Sequence, residues 1–278
     1  MKQKHSFSIF QAAGALALAT SMAAPAGAQA LGEQAKSSVV PTVFQAAGTT
    51  PASIQSAVDQ YRAALGAVNN GNNPGPLDGG RREINWDGGG STATSPGVTP
   101  FTVFLQTRGA NVTTPGTGFV QAPLDGLVTT FANDTYATIF QPFSPVRLFS
   151  PVGSNQTEVE FFVPGSQGAI AATTTGFGAV FTDVDRPNGT GPRGRLGNLR
   201  ASALIEYFDK DAALLYTGVV PASPGNASLS FFGIVFADAR IARVRITAGD
   251  KAPGGDDTSR LDVVMMDDFL YGEPKAVQ

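Results

Sequence analysis

The single histidine among 278 residues is His5, in a stretch with the character of an export signal, and the chain contains no cysteine. A mature chain without imidazole or thiol cannot assemble Ser-His-Asp or Cys-His nucleophiles, His or Cys zinc sites, haem or iron-sulfur ligation, or disulfides. Carboxylate, hydroxyl, amide and backbone chemistry remain. Calcium takes about six to eight oxygen ligands, and Asp and Asn on turns supply them. Asp183-x-Asp185-x-x-Asn188-Gly189 and Asp209-x-Asp211 each sit in a turn after a predicted strand. Neither has the spacing or the closing Glu of an EF-hand, and Asp and Asn are also simply favoured turn residues. Glycoside hydrolysis needs two carboxylates about 5 to 10 Å apart. Glu158 and Glu160 lie two apart on a predicted strand, on one side and roughly 7 Å apart; the flanking Val159, Phe161 and Phe162 make them the wet face of a half-buried strand instead. Asn85-Trp86-Asp87 brings the only Trp together with amide and carboxylate partners, as a sugar platform would, or as a packing anchor would without any ligand. Arg193, Arg195 and Arg200 fit either an acidic polysaccharide or a solvated turn.

These residues need elements to position them. Thr50 can cap a helix that starts at Pro51, carries Ile54, Ala57, Val58, Tyr61, Ala64 and Leu65 on one stripe, and stops at Asn69-Asn70-Gly71. Residues 71–97 are rich in Gly, Pro, Asn and Asp around Arg82–Gly88, a long ordered loop or a strand with turns at each end. From Phe101 onward, short runs rich in Phe, Val, Ile, Tyr and Thr recur between turn clusters. They cover 101–106, 137–140, 146–149, 158–163, 176–184, 203–208, 213–217, 229–236, 241–247 and 262–271. In 241–247, Val244 and Ile246 alternate with Arg243 and Arg245, so one face is wet; Phe231–Phe236 is apolar on both faces, as in a central strand. The pattern predicts an all-β, antiparallel, jelly-roll-like sandwich with one N-terminal amphipathic helix. Its expected divisions are a cleavable signal peptide over 1–28, a segment 29–97 packed on the main domain, a sandwich over 98–272 and a flexible tail over 273–278.

The signal reading rests on Lys2 and Lys4 before an uncharged apolar run from Phe7 to Met22, then small residues at Ala26, Ala28 and Ala30. The apolar run is short for a membrane span, and no second one follows. The chain is therefore expected to be secreted or periplasmic, with no membrane span once the signal is removed. Cleavage takes Lys2 and Lys4 from the 19 basic residues and none of the 22 acidic ones, moving the formal charge from −3 to −5. A mildly acidic chain without a basic stripe is no partner for nucleic acid.

Three motifs carry a resemblance. Arg82–Gly88, Gly176–Asp185 and Val264-Met-Met-Asp-Asp-Phe-Leu-Tyr-Gly272 resemble an uncharacterised family of bacterial exported proteins whose last strand is similar to that of carbohydrate-binding-module and lectin-like jelly rolls. The resemblance implies a structural calcium on Asp267 or Asp268. Together these readings point to a secreted, non-catalytic binding protein for a polysaccharide or cell-surface polymer, with Asn85, Trp86 and Asp87 at its ligand and Asp183, Asp185, Asp267 and Asp268 as calcium ligands. The alternatives are a structural or matrix protein of the envelope, with an exposed edge strand for self-association, and a polysaccharide hydrolase or lyase built on Glu158 or Glu160.

Overall fold

The computed structural model describes residues 40–88, 94–188, 203–258 and 261–277. The expected signal over 1–28 and the group Arg193, Arg195 and Arg200 lie outside the described residues. The chain opens with β1 (Thr42–Gly48), α1 (Pro51–Leu65), β2 (Arg81–Ile84) and β3 (Ser95–Gly97). Next come α2 (Leu105–Arg108), β4 (Ala110–Thr113), β5 (Gly118–Ala122), α3 (Leu124–Phe131), α4 (Tyr136–Ile139) and β6 (Leu148–Val152). The remainder is strand: β7 (Gln156–Phe161), β8 (Ala172–Thr173), β9 (Gly176–Thr182), β10 (Ala203–Phe208) and β11 (Leu214–Val219), then β12 (Leu229–Val235), β13 (Arg243–Ala248), β14 (Met265–Gly272) and β15 (Lys275–Ala276).

Two antiparallel sheets form the expected jelly-roll-like sandwich, with the chain passing repeatedly from one to the other. The larger sheet runs β1-β12-β9-β14-β6-β5-β3, and the smaller runs β11-β10-β13-β7-β4. One edge of β14 is shared: Met266 pairs with Phe149 of β6, and from Phe269 onward β2 takes over that edge. The register of β14 against β9 shifts at the same place, between Met266 and Phe269. Asp267 and Asp268 are the residues at this bulge, where the ladder is locally broken.

Alternation places the smaller sheet. Val244 and Ile246 of β13 are buried while Arg243 and Arg245 face outward, and β7 alternates in the same way. The core between the sheets is aromatic: Trp86, Phe149, Phe161, Phe177, Phe269 and Tyr271 meet there. Every residue of β9 and β14 is buried, because helices cover the outer face of the larger sheet. Ile54, Val58, Tyr61 and Leu65 of α1 pack on Val180, Phe231 and Leu270; Leu127 of α3 and Tyr136 and Ile139 of α4 pack on Val120, Leu148 and Met265. Glycine makes the seat for α1. Gly178 and Gly233 are register partners, and a Cβ on either would lie 2.8 Å from the Tyr61 ring. The Tyr61 hydroxyl donates to the Ile234 carbonyl at 3.2 Å.

Four expectations differ from the structure. The run 101–106 ends in the helical turn α2, and 137–140 lies largely in α4. Before α4, Asn133 Oδ1 accepts from both the Thr135 amide and hydroxyl, and Tyr136 and Ile139, three apart, bury one helical face; this local Asx turn and the helical spacing override the β preference of the residue types. The segment 29–97 is no separate layer, since β1, β2 and β3 are strands of the larger sheet. Nor is 273–278 a flexible tail: Glu273 is buried against Arg82, and Lys275 and Ala276 pair with β8.

Candidate functional site

Asp183 follows β9 directly. Its backbone takes a left-handed conformation, φ 69°, and its side chain turns into the protein with 0 % exposure. Neither carboxylate oxygen has a hydrogen-bond partner. Carboxylate oxygens of Asp257 and Asp262 join it, all three lying within 4.8 Å of one another. The other two are anchored: Asp257 Oδ1 accepts from the Val263 amide at 3.1 Å, and Asp262 Oδ2 from the Asp185 amide at 2.9 Å. The loop 250–262 returns Asp262 beside β9 because Asp250 and Asp262 close it by a backbone bond of 2.8 Å. Burial, followed by the charges of Asp185, Asp257 and Asp262, pushes the Asp183 carboxyl up to about 9. Burial also raises Asp257. Arg186 pairs with Asp250 at 3.2 Å, and its charge acts on Asp257.

Asp185, expected as a fellow ligand, instead turns out to Gly225, accepting its amide at 2.8 Å. Alternate residues on an extended segment face opposite sides. Sequence reading missed Asp257 and Asp262, which are distant from Asp183 along the chain; the Gly254-Gly255-Asp256-Asp257 turn signal was the available clue.

The Asp267-Asp268 pair forms a second acidic group, organised quite differently. Asp267 Oδ2 accepts from the amides of Phe143 at 2.6 Å and Ser144 at 3.1 Å. The Ser144 hydroxyl donates to Asp268 Oδ1 at 2.7 Å, and Arg62 reaches Asp268 Oδ2 at 3.4 Å. Asp87 completes the group, its Oδ1 accepting from the amides of Val146 and Arg147 at 2.7 and 2.8 Å. Burial, then the neighbouring Asp268 charge, drives Asp267 well above the usual carboxylate range. At Asp267 and Asp268, where the resemblance implied a calcium, amide, hydroxyl and guanidinium hydrogens meet the carboxylate oxygens.

Trp86 is no sugar platform. Its indole is fully buried, stacked on Phe149 at 3.6 Å and 5°, with Nε1 donating to the Asp267 carbonyl at 3.1 Å. Of the expected ligand trio only Asn85 is exposed. Glu158 lies on the outer face of the smaller sheet, held by Arg245 at 2.7 Å and Arg243 at 3.2 Å. These are ion pairs on the solvent-facing side of the sheet.

A cleft of about 550 Å³ opens beyond the N-terminal end of β9, at the opposite end of that strand from Asp183. Two turns and a strand build its wall: Asp209, Lys210 and Asp211 between β10 and β11, Asp238 and Arg240 between β12 and β13, and Lys275 of β15. Asp209 fixes the first turn, its Oδ1 accepting the amides of Asp211 at 2.9 Å and Ala213 at 2.8 Å. Arg240 pairs with Asp238 at 2.5 Å, and its guanidinium sits over the Phe236 ring at 5.2 Å.

The chain matches no protein-family model, no curated protein and no solved structure. Fold and sites together define an antiparallel β-sandwich with a buried acidic triad at one end of β9 and a charged cleft at the other.

Proposed function

We propose that this protein is an exported, non-catalytic binding module that holds a polar polymer, a glycan of the cell surface or its surroundings, in the cleft beyond β9. The cleft lining carries this reading. Asp238, Lys210, Arg240 and Lys275 present both signs of charge and many hydrogen-bonding atoms around about 550 Å³, which suits a hydroxyl-rich ligand better than an apolar one. The lectin-like resemblance of the β14 motif agrees with it. The ion-paired placement of Glu158 gives no support to a hydrolase. No described helix is long and apolar enough to cross a membrane.

Titration calorimetry with a panel of soluble polysaccharides tests the proposal. One class should bind, and Asp238→Ala or Lys275→Ala should weaken it about tenfold or more, as loss of a charge-assisted hydrogen bond does. Binding by none of the panel, or binding indifferent to both substitutions, refutes it. A second reading, a self-associating matrix protein, is favoured by the sheet edges. β1 and β11 end their sheets, with Val43 39 % and Leu214 55 % exposed, and free edges of this kind can pair with another chain. Sedimentation that rises with concentration and is abolished by Leu214→Lys supports that reading over the first.

A further inference from the structure

We propose that Asp183, Asp257 and Asp262 form a calcium site that ties the end of β9 to the loop leading into β14. Two oxygens bound to one calcium at about 2.4 Å can be at most about 4.8 Å apart, and the three carboxylates meet that limit. Proximity of acids alone would not single out this corner; the state of Asp183 does. Its side chain is fully buried, faces the other two carboxylates, and has no donor on either oxygen. A buried carboxylate without donors is costly, and the group that would meet both oxygens here must come from outside the chain. The Asp267-Asp268 pair provides the contrast within the same molecule: there the chain supplies amide, hydroxyl and guanidinium donors.

Calcium suits the donor set. All three ligands are hard oxygens, whereas zinc favours His and Cys. Magnesium requires near-ideal octahedral geometry at about 2.1 Å. Asp257 and Asp262 are already oriented by the Val263 and Asp185 amides, so the site is substantially pre-organised. The role follows from connectivity: β9 and β14 are neighbours in the larger sheet, and an ion on Asp183 and Asp262 clamps their ends together.

The test uses the EDTA-stripped protein, with calcium chloride as the sole addition. Calorimetry should show one calcium bound per chain. At calcium about 100-fold above its dissociation constant, the melting temperature should rise by about 5–10 °C for a domain of this size. Asp183→Asn should abolish both signals, while Asp59→Asn, on the exposed face of α1, should leave them intact. Should Asp183→Asn fail to fold, the half-buried Asp257→Asn takes its place and should weaken binding at least tenfold. Absence of calcium binding by the wild-type protein overturns the proposal, as do retention of full affinity in the variant and an equal response to magnesium. Glycan binding in the cleft is a separate measurement, and its failure leaves this result unaffected.

Discussion

Replacing Glu273 by Ala should be among the most damaging single changes outside the aromatic core. Arg82 and Glu273 have side-chain exposures of 0 % and 1 %. Their contact is two-pronged: Nε to Oε2 at 2.6 Å and Nη2 to Oε1 at 2.7 Å. Arg82 Nη1 also donates to the carbonyls of Gly71, Asn73 and Thr107 at 2.9, 2.7 and 3.1 Å. Glu273 in turn accepts from Asn70 Nδ2 at 2.8 Å and the Leu77 amide at 3.1 Å. Removing the carboxylate leaves a buried guanidinium without its counter-charge and two further donors without an acceptor. Breaking a buried pair in this way costs about 3–5 kcal/mol, which for this chain length lowers the melting temperature by about 6–20 °C. Urea unfolding with a shared slope for both proteins measures the difference. The double change Arg82→Met with Glu273→Leu should recover only part of the loss, because it removes the orphaned charge but leaves the Asn70 and Leu77 donors and the Gly71, Asn73 and Thr107 carbonyls without these partners. A loss below about 1 kcal/mol for Glu273→Ala, within the range of ordinary surface substitutions, would refute the reasoning and return the C-terminal residues to the status of a loose tail.

The other expectations concern the α1 seat and the acidic triad. Gly178→Ala places a Cβ 2.8 Å from the Tyr61 ring and 2.9 Å from the Gly233 backbone, and should destabilise by about 1–3 kcal/mol; a cost within experimental error in the same urea assay would show that α1 is not held by this close approach. With calcium chelated, Asp183 keeps its proton in the folded state up to about pH 9, chiefly through burial and then through Asp185, Asp257 and Asp262, whereas the unfolded chain loses it near pH 4. Between those values the folded state binds the extra proton, so this contribution to stability is full below pH 4 and is lost as the pH rises toward 9. Asp183→Asn cannot ionise and should flatten that part of the decline in urea midpoint with pH; identical profiles for the two proteins would rule out the raised value.

What could be read from the sequence divides along physical lines. The alternation of Arg243, Val244, Arg245 and Ile246 and the stripe of α1 were legible because each depends on neighbours within a few residues. The turn at Asp209–Asp211 was legible for the same reason, its chemistry being carried by one side chain. The turn α4 was not, because Tyr136 and Ile139 there pack on a sheet formed by distant strands. β1 was missed since Thr42–Gly48 is only half covered and its pairing partner, β12, lies far along the chain. Trp86 kept the company expected of a binding residue, and only the stack on Phe149 reveals it as core. Asp183 was singled out by its turn, but its true partners Asp257 and Asp262 become neighbours only through the pairing of β9 with β14.

The two acidic groups differ in how far the fold itself serves their carboxylates. Where β14 exchanges β6 for β2, the ladder is broken, and the amides of Phe143, Ser144, Val146 and Arg147 are met by side chains there. Backbone donors buried without acceptors are costly, and Asp87 and Asp267 supply those acceptors at the seam. A calcium ion and a set of orphaned amides ask for the same residue type, so an Asp-Asp pair at the end of a strand is ambiguous when only its letters are known. Counting donors resolves the ambiguity. Asp267 receives two amides and Asp268 a hydroxyl and a guanidinium, whereas Asp183 receives nothing. The seam is thus an acidic group whose hydrogen bonding the fold itself completes, whereas both Asp183 oxygens are left without a donor.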